Sequence, residues 1–133
     1  NIERVLPLVD LVLMDLKHTD PDKHRAWCGQ PNDRIIDNVR YIAAHARETV
    51  VRVPVIPGFN DDEPTVRSIA RFAASLPGVR ELHLLPYHRL GYDKYIGLGR
   101  PYGMGDVPPL SQERARALLS VAEESGLACR IGG

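Results

Sequence analysis

Three apolar runs constrain the fold of this chain more than any other feature of its sequence. Residues 10–17, 50–58 and 80–88 are dense in Val, Leu and Ile, and each run carries charged or imidazole groups near one end. Runs of this kind are typical of strands buried on both faces of a parallel sheet. Between the runs, apolar residues recur at three- and four-residue steps, which predicts helices that pack on the sheet.

A fourth short strand is predicted at residues 127–131, after a last helix. Strands that alternate with helices are parallel and are joined by right-handed crossovers. This order is about half of an eight-unit barrel. We therefore predict a single α/β domain over residues 1–133, with the carboxyl ends of all strands at one edge. Pro54 interrupts the second strand, and we expect a bulge or a gap in strand pairing beside it.

Composition limits the classes of function. The 133 residues include 17 basic and 17 acidic side chains, so no overall field attracts nucleic acid or an anionic membrane. No apolar run approaches the roughly 20 residues that span a bilayer, and no secretory leader opens the sequence. We expect a cytoplasmic protein. Cys28 and Cys129 are too far apart in sequence for a local metal motif and fit reduced thiols.

Four polar residues are predicted to share the carboxyl edge of the sheet: Asp15, Lys17, Arg52 and His88. Together they suit a ligand that carries a carboxylate and hydroxyl groups. For Asp15 and Lys17 the alternative is a simple ion pair between alternate residues of one strand. For Arg52 it is a buried structural ion pair, and for His88 a histidine satisfied within the core.

Two further features complete the sequence-based expectations. Alternation counted back from His88 predicts that His83 faces away from the four polar residues and contacts a helix. Residues 91–109 hold five glycines, three prolines and three of the five tyrosines. A loop of this length between a strand and a helix is uncommon unless it covers or binds something, so we predict a functional loop.

Several motifs together resemble the glycyl-radical-enzyme activating enzymes, a family of radical S-adenosylmethionine (SAM) proteins that includes the pyruvate formate-lyase activating enzyme. The similar segments are residues 13–17 (LMDLK), 52–61 (RVPVIPGFND), 84–91 (LLPYHRLG), 94–95 (KY), 98–102 (LGRPY) and 130–133 (RIGG). Each motif is weak by itself. Their occurrence in this order along nearly the whole chain is specific.

The resemblance implies a TIM-like partial (β/α)6 barrel, of which this chain would be the carboxyl-terminal half. It implies a [4Fe-4S] cluster, supplied with electrons by a reductant such as flavodoxin or ferredoxin, and SAM as the source of a 5′-deoxyadenosyl radical. That radical takes a hydrogen from a glycine of a partner glycyl radical enzyme. By motif, Asp15 and Lys17 would contact the SAM ribose and carboxylate, with Asp15 also near a monovalent cation. Arg52 would approach the methionine part, His88 the ribose or adenine, and residues 91–109 the partner's glycine-loop peptide.

One departure from the family pattern is decisive. The three closely spaced cysteines of the cluster motif, and the glycine-rich SAM motif that follows them, are absent. We therefore expect a carboxyl-terminal piece of a longer radical SAM barrel that lacks the cluster-binding half and is inactive alone. The alternatives are a radical SAM enzyme with another substrate, or a non-catalytic peptide-binding module that dimerises through its open sheet edges.

Overall fold

A four-stranded, all-parallel sheet forms the centre of the molecule. In the computed structural model, which describes residues 1–88, 92–101 and 103–133 and only the backbone of residues 92 and 93, the strands are β1 (Val12–Asp15), β2 (Thr49–Val55), β3 (Val79–Pro86) and β4 (Ala128–Ile131). Their order across the sheet is the order along the chain, β1-β2-β3-β4. Each neighbouring pair is parallel, which confirms the predicted α/β class.

Helices connect the strands. They are α1 (Ile2–Val5, followed by a 3-10 turn at Leu6–Leu8), α2 (Pro21–Cys28), α3 (Asp33–His45), α4 (Glu63–Ala74), α5 (Tyr92–Gly97) and α6 (Gln112–Glu123). Side-chain caps begin three of them, because Asp20, Asp62 and Ser111 accept hydrogen bonds from amides of the first turn. Loop residues therefore set the points at which the chain leaves the carboxyl edge of the sheet.

The hydrophobic core lies between one face of the sheet and helices α3, α4 and α6. It includes Val51, Val53, Leu82 and Leu84 from the central strands, each at most 1% exposed. The opposite face has no comparable apolar cover among the described residues. We call it the open face, and it carries Leu13, Arg52, Glu81, His83 and Arg130.

Of the two irregularities expected beside Pro54, the bulge is wrong, but a gap in pairing is present on the β1 side, where strand pairing ends at Arg52. Pro54 pairs in register with Leu85, and the register shift lies between Thr49 and Val50 at the start of β2. The Pro54 carbonyl faces the β1 side of the strand, where it accepts a hydrogen bond from Asn60 rather than from a strand. Proline lacks a backbone N–H, but an N–H at this position would point toward β1. Its absence therefore costs no hydrogen bond to β3, and proline is tolerated here.

The segment predicted to be a long functional loop, residues 91–109, contains α5. Tyr95, Ile96 and Leu98 on and after this helix are 42%, 58% and 62% exposed. Residue 91 and residue 102 lie outside the described part of the chain. Within that part, no helix is long and apolar enough to cross a membrane.

Candidate functional site

An ion pair at the carboxyl end of β1 joins two of the predicted site residues. Asp15 and Arg52 are strand partners across β1 and β2. The Arg52 Nε donates to Asp15 Oδ1 at 2.7 Å, and the two side chains are 30% and 39% exposed. The predicted alternative for Asp15, an ion pair with Lys17 on the same strand, is not among the described contacts.

Lys17 is held near this pair through its backbone. The buried Asn60 donates from Nδ2 to the Lys17 carbonyl at 2.7 Å and to the Pro54 carbonyl at 2.9 Å. Its Oδ1 accepts from the Ile56 amide at 2.7 Å. One amide side chain thus ties the ends of β1 and β2 together. The Lys17 ammonium makes no ion pair or hydrogen bond to the described residues, so it is available for a ligand.

His88 lines a cleft beyond the carboxyl ends of the other strands. The cleft has a volume of about 410 Å³ and is bounded by backbone and side chains from β2, from the end of β3 and from the chain after β4. Its walls are Pro54, Val55, Ile56, Leu85, Pro86, Tyr87, His88, Gly132 and Gly133. The lining is mainly apolar, with exposed His88 at its margin. Such a cleft suits a flat ring that is stacked between apolar groups.

The four predicted residues therefore lie at the same edge of the sheet, but only Asp15 and Arg52 contact each other. Lys17 follows Asp15 by two residues, and His88 follows the end of β3 by two. Pro54 connects the two regions, because it lies two residues after Arg52 and also lines the cleft. Whether these residues bind SAM, and whether Asp15 adjoins a cation, remain predictions.

The expectation for His83 was wrong. His83 is the strand partner of Arg52, so its side chain shares the open face with Asp15 and Arg52 rather than facing a helix. It is 2% exposed and contacts Glu81 and Arg130, both of which were missed. The error came from counting alternation through Tyr87 and His88, although β3 ends at Pro86. Within β3, His83 lies two residues after Glu81 and therefore on the same face as Glu81.

A stack of three rings at the ends of β1 and β2 was also missed. His18 stacks on Phe59 with 5.4 Å between centroids, and Phe59 stacks on Trp27 at 5.0 Å. Burial lowers the pKa of His18, and its Nε2 has no hydrogen-bond partner among the residues that the structure describes. The three rings come from separate loops and a helix, so no periodic pattern in the sequence indicates them.

Tests of cofactor fit give different results for SAM and for the cluster. The cleft and the unpaired Lys17 ammonium fit a ligand that has a flat ring and a carboxylate. A [4Fe-4S] cluster does not fit, since no group of three or more His, Cys, Asp or Glu in the described ranges can hold a metal. Cys28 is exposed and distant in sequence from Cys129. Burial raises the pKa of the Cys129 thiol, and Glu123 adds to that rise, which disfavours the thiolate that a metal needs.

Comparison with curated proteins gives a consistent set of relatives. The isethionate sulfite-lyase activating enzyme of Oleidesulfovibrio alaskensis is 49% identical over 109 residues, which cover 80% of this chain and 35% of that protein. The (2S)-3-sulfopropanediol dehydratase activating enzyme of Klebsiella oxytoca is 36% identical over 99% of this chain and 43% of its own length. The chain spans less than half of the length of these relatives. No protein-family model matches it.

Solved structures agree with these relatives. A domain of a pyruvate-formate lyase-activating enzyme from Bacteroides vulgatus superposes with a TM-score of 0.78 at 29% identity, covering 99% of this chain and 73% of that one. A radical SAM methyltransferase from Sphaerobacter thermophilus, 17% identical with a TM-score of 0.64 over 90% of this chain and 33% of that one, shares the fold alone. The fold and its relatives place the chain among the radical SAM proteins. Within that class it belongs to the glycyl-radical-enzyme activating enzymes.

Proposed function

We propose that this chain is the carboxyl-terminal part of a radical SAM activating enzyme that generates a glycyl radical on a partner enzyme. The observation that carries the proposal is the Asp15–Arg52 pair at the carboxyl edge of the sheet, close to a cleft of about 410 Å³ that includes His88. Open α/β sheets bind their ligands outside the carboxyl ends of the strands. The curated relatives bear the names of activating enzymes, which supports the same reaction class.

Each predicted residue has a separate task in this proposal. Lys17 meets the SAM carboxylate, because its ammonium is unpaired within the described structure. Asp15 accepts a ribose hydroxyl while Arg52 holds its carboxylate in place and faces the methionine part. His88 contacts the ribose or adenine from the margin of the cleft. When bound, SAM supplies the 5′-deoxyadenosyl radical that abstracts hydrogen from the partner's glycine.

The remaining machinery is assigned to parts of the protein outside this chain. We propose that the [4Fe-4S] cluster and its cysteines lie there, that a flavodoxin or ferredoxin supplies the electron, and that residues 1–133 alone are inactive. The exposed Leu11 and Leu13 beside the free edge of β1, 46% and 48% exposed, support an additional strand at this edge. A cytoplasmic location fits the reducing conditions that such a cluster requires.

The partner's glycine loop is proposed to enter from the open face, next to residues 91–109. Tyr95, Ile96 and Leu98 supply exposed apolar surface within this segment. A peptide that docks there would cover the cleft and exclude water from the reacting atoms.

The test is SAM binding by the full protein as its gene encodes it. We expect Lys17→Ala and His88→Ala each to raise the dissociation constant for SAM about tenfold, which is the loss of roughly 1.4 kcal/mol. Equilibrium titration under anaerobic conditions measures this. Arg116→Ala and His45→Ala are the control variants, because both side chains are exposed on helices that pack against the core face of the sheet.

The controls should bind SAM like the unaltered protein. Unchanged affinity in both Lys17→Ala and His88→Ala would reject the site. The activity itself is tested by electron paramagnetic resonance, in which the full protein with SAM and reductant should produce a glycyl radical doublet on a partner enzyme.

A further inference from the structure

A second polar cluster lies on the open face beside the Asp15–Arg52 pair. The Nε2 atom of buried His83 lies 2.9 Å from Glu81 Oε2 and 3.0 Å from Arg130 Nε. Arg52, His83 and Arg130 are consecutive strand partners across β2, β3 and β4. Two guanidinium groups therefore flank one buried imidazole in a single row.

The contacts of His83 cannot all be favourable at once. An imidazole nitrogen either carries a proton or carries a lone pair. When Nε2 carries the proton, it donates to Glu81, but its N–H then points at the N–H of Arg130 and the two donors repel each other. When Nε2 carries the lone pair, it accepts from Arg130, but the lone pair then faces the carboxylate of Glu81 and the two acceptors repel each other. Meanwhile His83 Nδ1 is buried and has no hydrogen-bond partner in the described part of the chain. An acceptor that took over the Arg130 N–H would leave Nε2 free to donate to Glu81.

Both arginines also keep unused donors. Arg52 bonds to Asp15 through Nε, and Arg130 bonds to His83 through Nε. The terminal nitrogens of both forks make no hydrogen bond to the described residues. Since neighbouring strands lie about 4.8 Å apart, the Cα atoms of Arg52 and Arg130 are roughly 10 Å apart. Arginine side chains are long enough for the guanidinium groups of Arg52 and Arg130 to reach one small group that lies between the two strands.

A cavity of about 270 Å³ adjoins both arginines. Arg52, His83 and Arg130 line it, together with Leu11, Leu13, Glu48, Val50, Glu81 and Gly133. We propose that this cavity binds a carboxylate group, held by the free fork ends of Arg52 and Arg130 above the buried His83. The proposal does not rest on the SAM assignment, because it uses only the contacts and free donors of these residues.

The charge of the lining sets the kind of anion. Two arginines contribute two positive charges, and Glu48 and Glu81 contribute two negative charges at the same cavity. Because these arginine and glutamate charges balance, a doubly charged phosphate or sulfate gains no extra net attraction here, and its larger desolvation cost favours a singly charged group. A planar carboxylate also matches the arginine fork in a bidentate geometry. The carboxylate comes either from a small acid or from an acidic side chain of another protein segment.

The experiment titrates the full protein with acetate and observes the arginine Nε–H signals by ¹⁵N nuclear magnetic resonance. Chloride keeps the ionic strength constant, and phosphate serves as the comparison anion. We expect saturable shifts of the Arg130 signal, with acetate bound more tightly than phosphate. Arg130→Gln should weaken acetate binding at least about tenfold. Arg130→Lys should do the same, because it keeps the charge and loses the fork.

The control variant is Arg34→Gln, which removes an exposed arginine from α3 on the other side of the sheet and should leave acetate binding unchanged. Thermal unfolding checks that the Arg130 variants are folded. Lys17→Ala should weaken SAM binding but not acetate binding, so the two proposals fail separately. Loss of SAM binding in Arg130→Lys would mean that the bound group is the SAM carboxylate, and would overturn a separate site.

A crystal structure of the full protein distinguishes the two sources of the carboxylate. If an acidic side chain already occupies the forks, acetate will not bind and the protein segment is the source. If acetate binds, a small acid is the source. Forks that are empty in the crystal and do not bind acetate saturably would reject the proposal, as would equal acetate affinity in Arg130→Gln.

Discussion

Arg52 and Asp15 form a 2.7 Å ion pair on adjacent strands, and this pair belongs both to the strand pairing of the sheet and to the candidate site. Both residues stand in the last row of β1, where strand pairing brings a guanidinium and a carboxylate together. The pair satisfies an arginine that would otherwise be costly within a Val-rich strand. It also leaves the two terminal nitrogens of that arginine without a hydrogen bond to the described residues.

The first prediction concerns the energy of this pair. The matched comparison is Arg47–Asp10, which has the same 2.7 Å separation but side chains that are 70% and 89% exposed. We expect a coupling free energy of about 1 kcal/mol for Arg52–Asp15 and less than about 0.5 kcal/mol for Arg47–Asp10, because water screens the exposed pair more strongly. Double-mutant cycles with Arg→Gln and Asp→Asn, measured by urea unfolding, give both values. Equal couplings would contradict this explanation.

The sequence predicted the sheet because its strands are long apolar runs, and burial on both faces leaves little alternative. It also placed Asp15, Lys17, Arg52 and His88 at one edge, since that conclusion requires only that parallel strands end together. The face of the sheet on which His83 lies could not be predicted in this way. Side chains alternate between faces only within a strand, and β3 ends at Pro86, before the His88 from which the count started. A shift of one residue in the count reverses the face.

Contacts between segments distant in sequence were equally hard to predict. Asn60 appeared only within the family-like segment 52–61, yet its side chain donates to the carbonyl of Lys17, 43 residues earlier. Glu81 and Arg130 were passed over because each is an ordinary charged residue in its own strand. Strand register, which no local pattern gives, brings Arg130 to His83, whereas Glu81 lies two residues before His83 on the same face of β3.

The second prediction concerns two glycines with positive φ. Gly78 and Gly126 have φ of +74° and +83°. An added Cβ at Gly78 would lie 3.1 Å from the Ala43 carbonyl oxygen, whereas one at Gly126 would meet nothing within 4 Å. We expect Gly126→Ala to lower the free energy of unfolding by about 1 kcal/mol, the backbone cost alone. Gly78→Ala should cost more, because it adds a steric conflict with backbone. Urea unfolding measures both, and a smaller loss at Gly78 would be inconsistent with the close approach.

The third prediction is a pH dependence of stability due to His18. Burial lowers the pKa of His18 from its ordinary value of 6.5, Lys23 adds to this, and Asp20 and Asp62 oppose it. The unfolded chain therefore binds a proton more readily than the native protein. The stability contributed by neutral His18 is complete above pH 6.5 and is lost as the pH falls. We expect the free energy of unfolding to decrease between pH 7 and pH 5.5, and His18→Gln to flatten that slope.

Urea midpoints at a series of pH values test this dependence, with His45→Gln as the control because His45 is exposed on α3. Carboxylates change the free energy of unfolding at lower pH than His18 does. The hydrogen bond from the Lys23 amide lowers the pKa of Asp20 from 3.8, so its contribution is lost only in more acid solution. A slope between pH 7 and pH 5.5 that is the same in His18→Gln and in the unaltered protein would count against His18 as the cause.

The fourth prediction links Asn60 to both stability and ligand binding. Asn60 is 0% exposed and satisfies two carbonyls and one amide of β1, β2 and the following turn. We expect Asn60→Ala to lower the free energy of unfolding by about 3 kcal/mol, since three buried backbone groups lose their partner. Asn60→Asp should be worse, because its carboxylate would face two carbonyl oxygens. Asn38→Ala, a partly buried asparagine without such bonds in the described structure, should cost much less.

The same variant tests whether Asn60 positions Lys17. Among the described contacts, the Lys17 carbonyl accepts a hydrogen bond from this amide alone, so loss of the amide loosens the chain after Leu16 and misplaces the ammonium. SAM affinity of the full protein should fall in Asn60→Ala even at temperatures at which the protein is fully folded, whereas Asn38→Ala should bind SAM normally. Reduced stability with unchanged SAM affinity would show that Asn60 supports the fold without positioning Lys17.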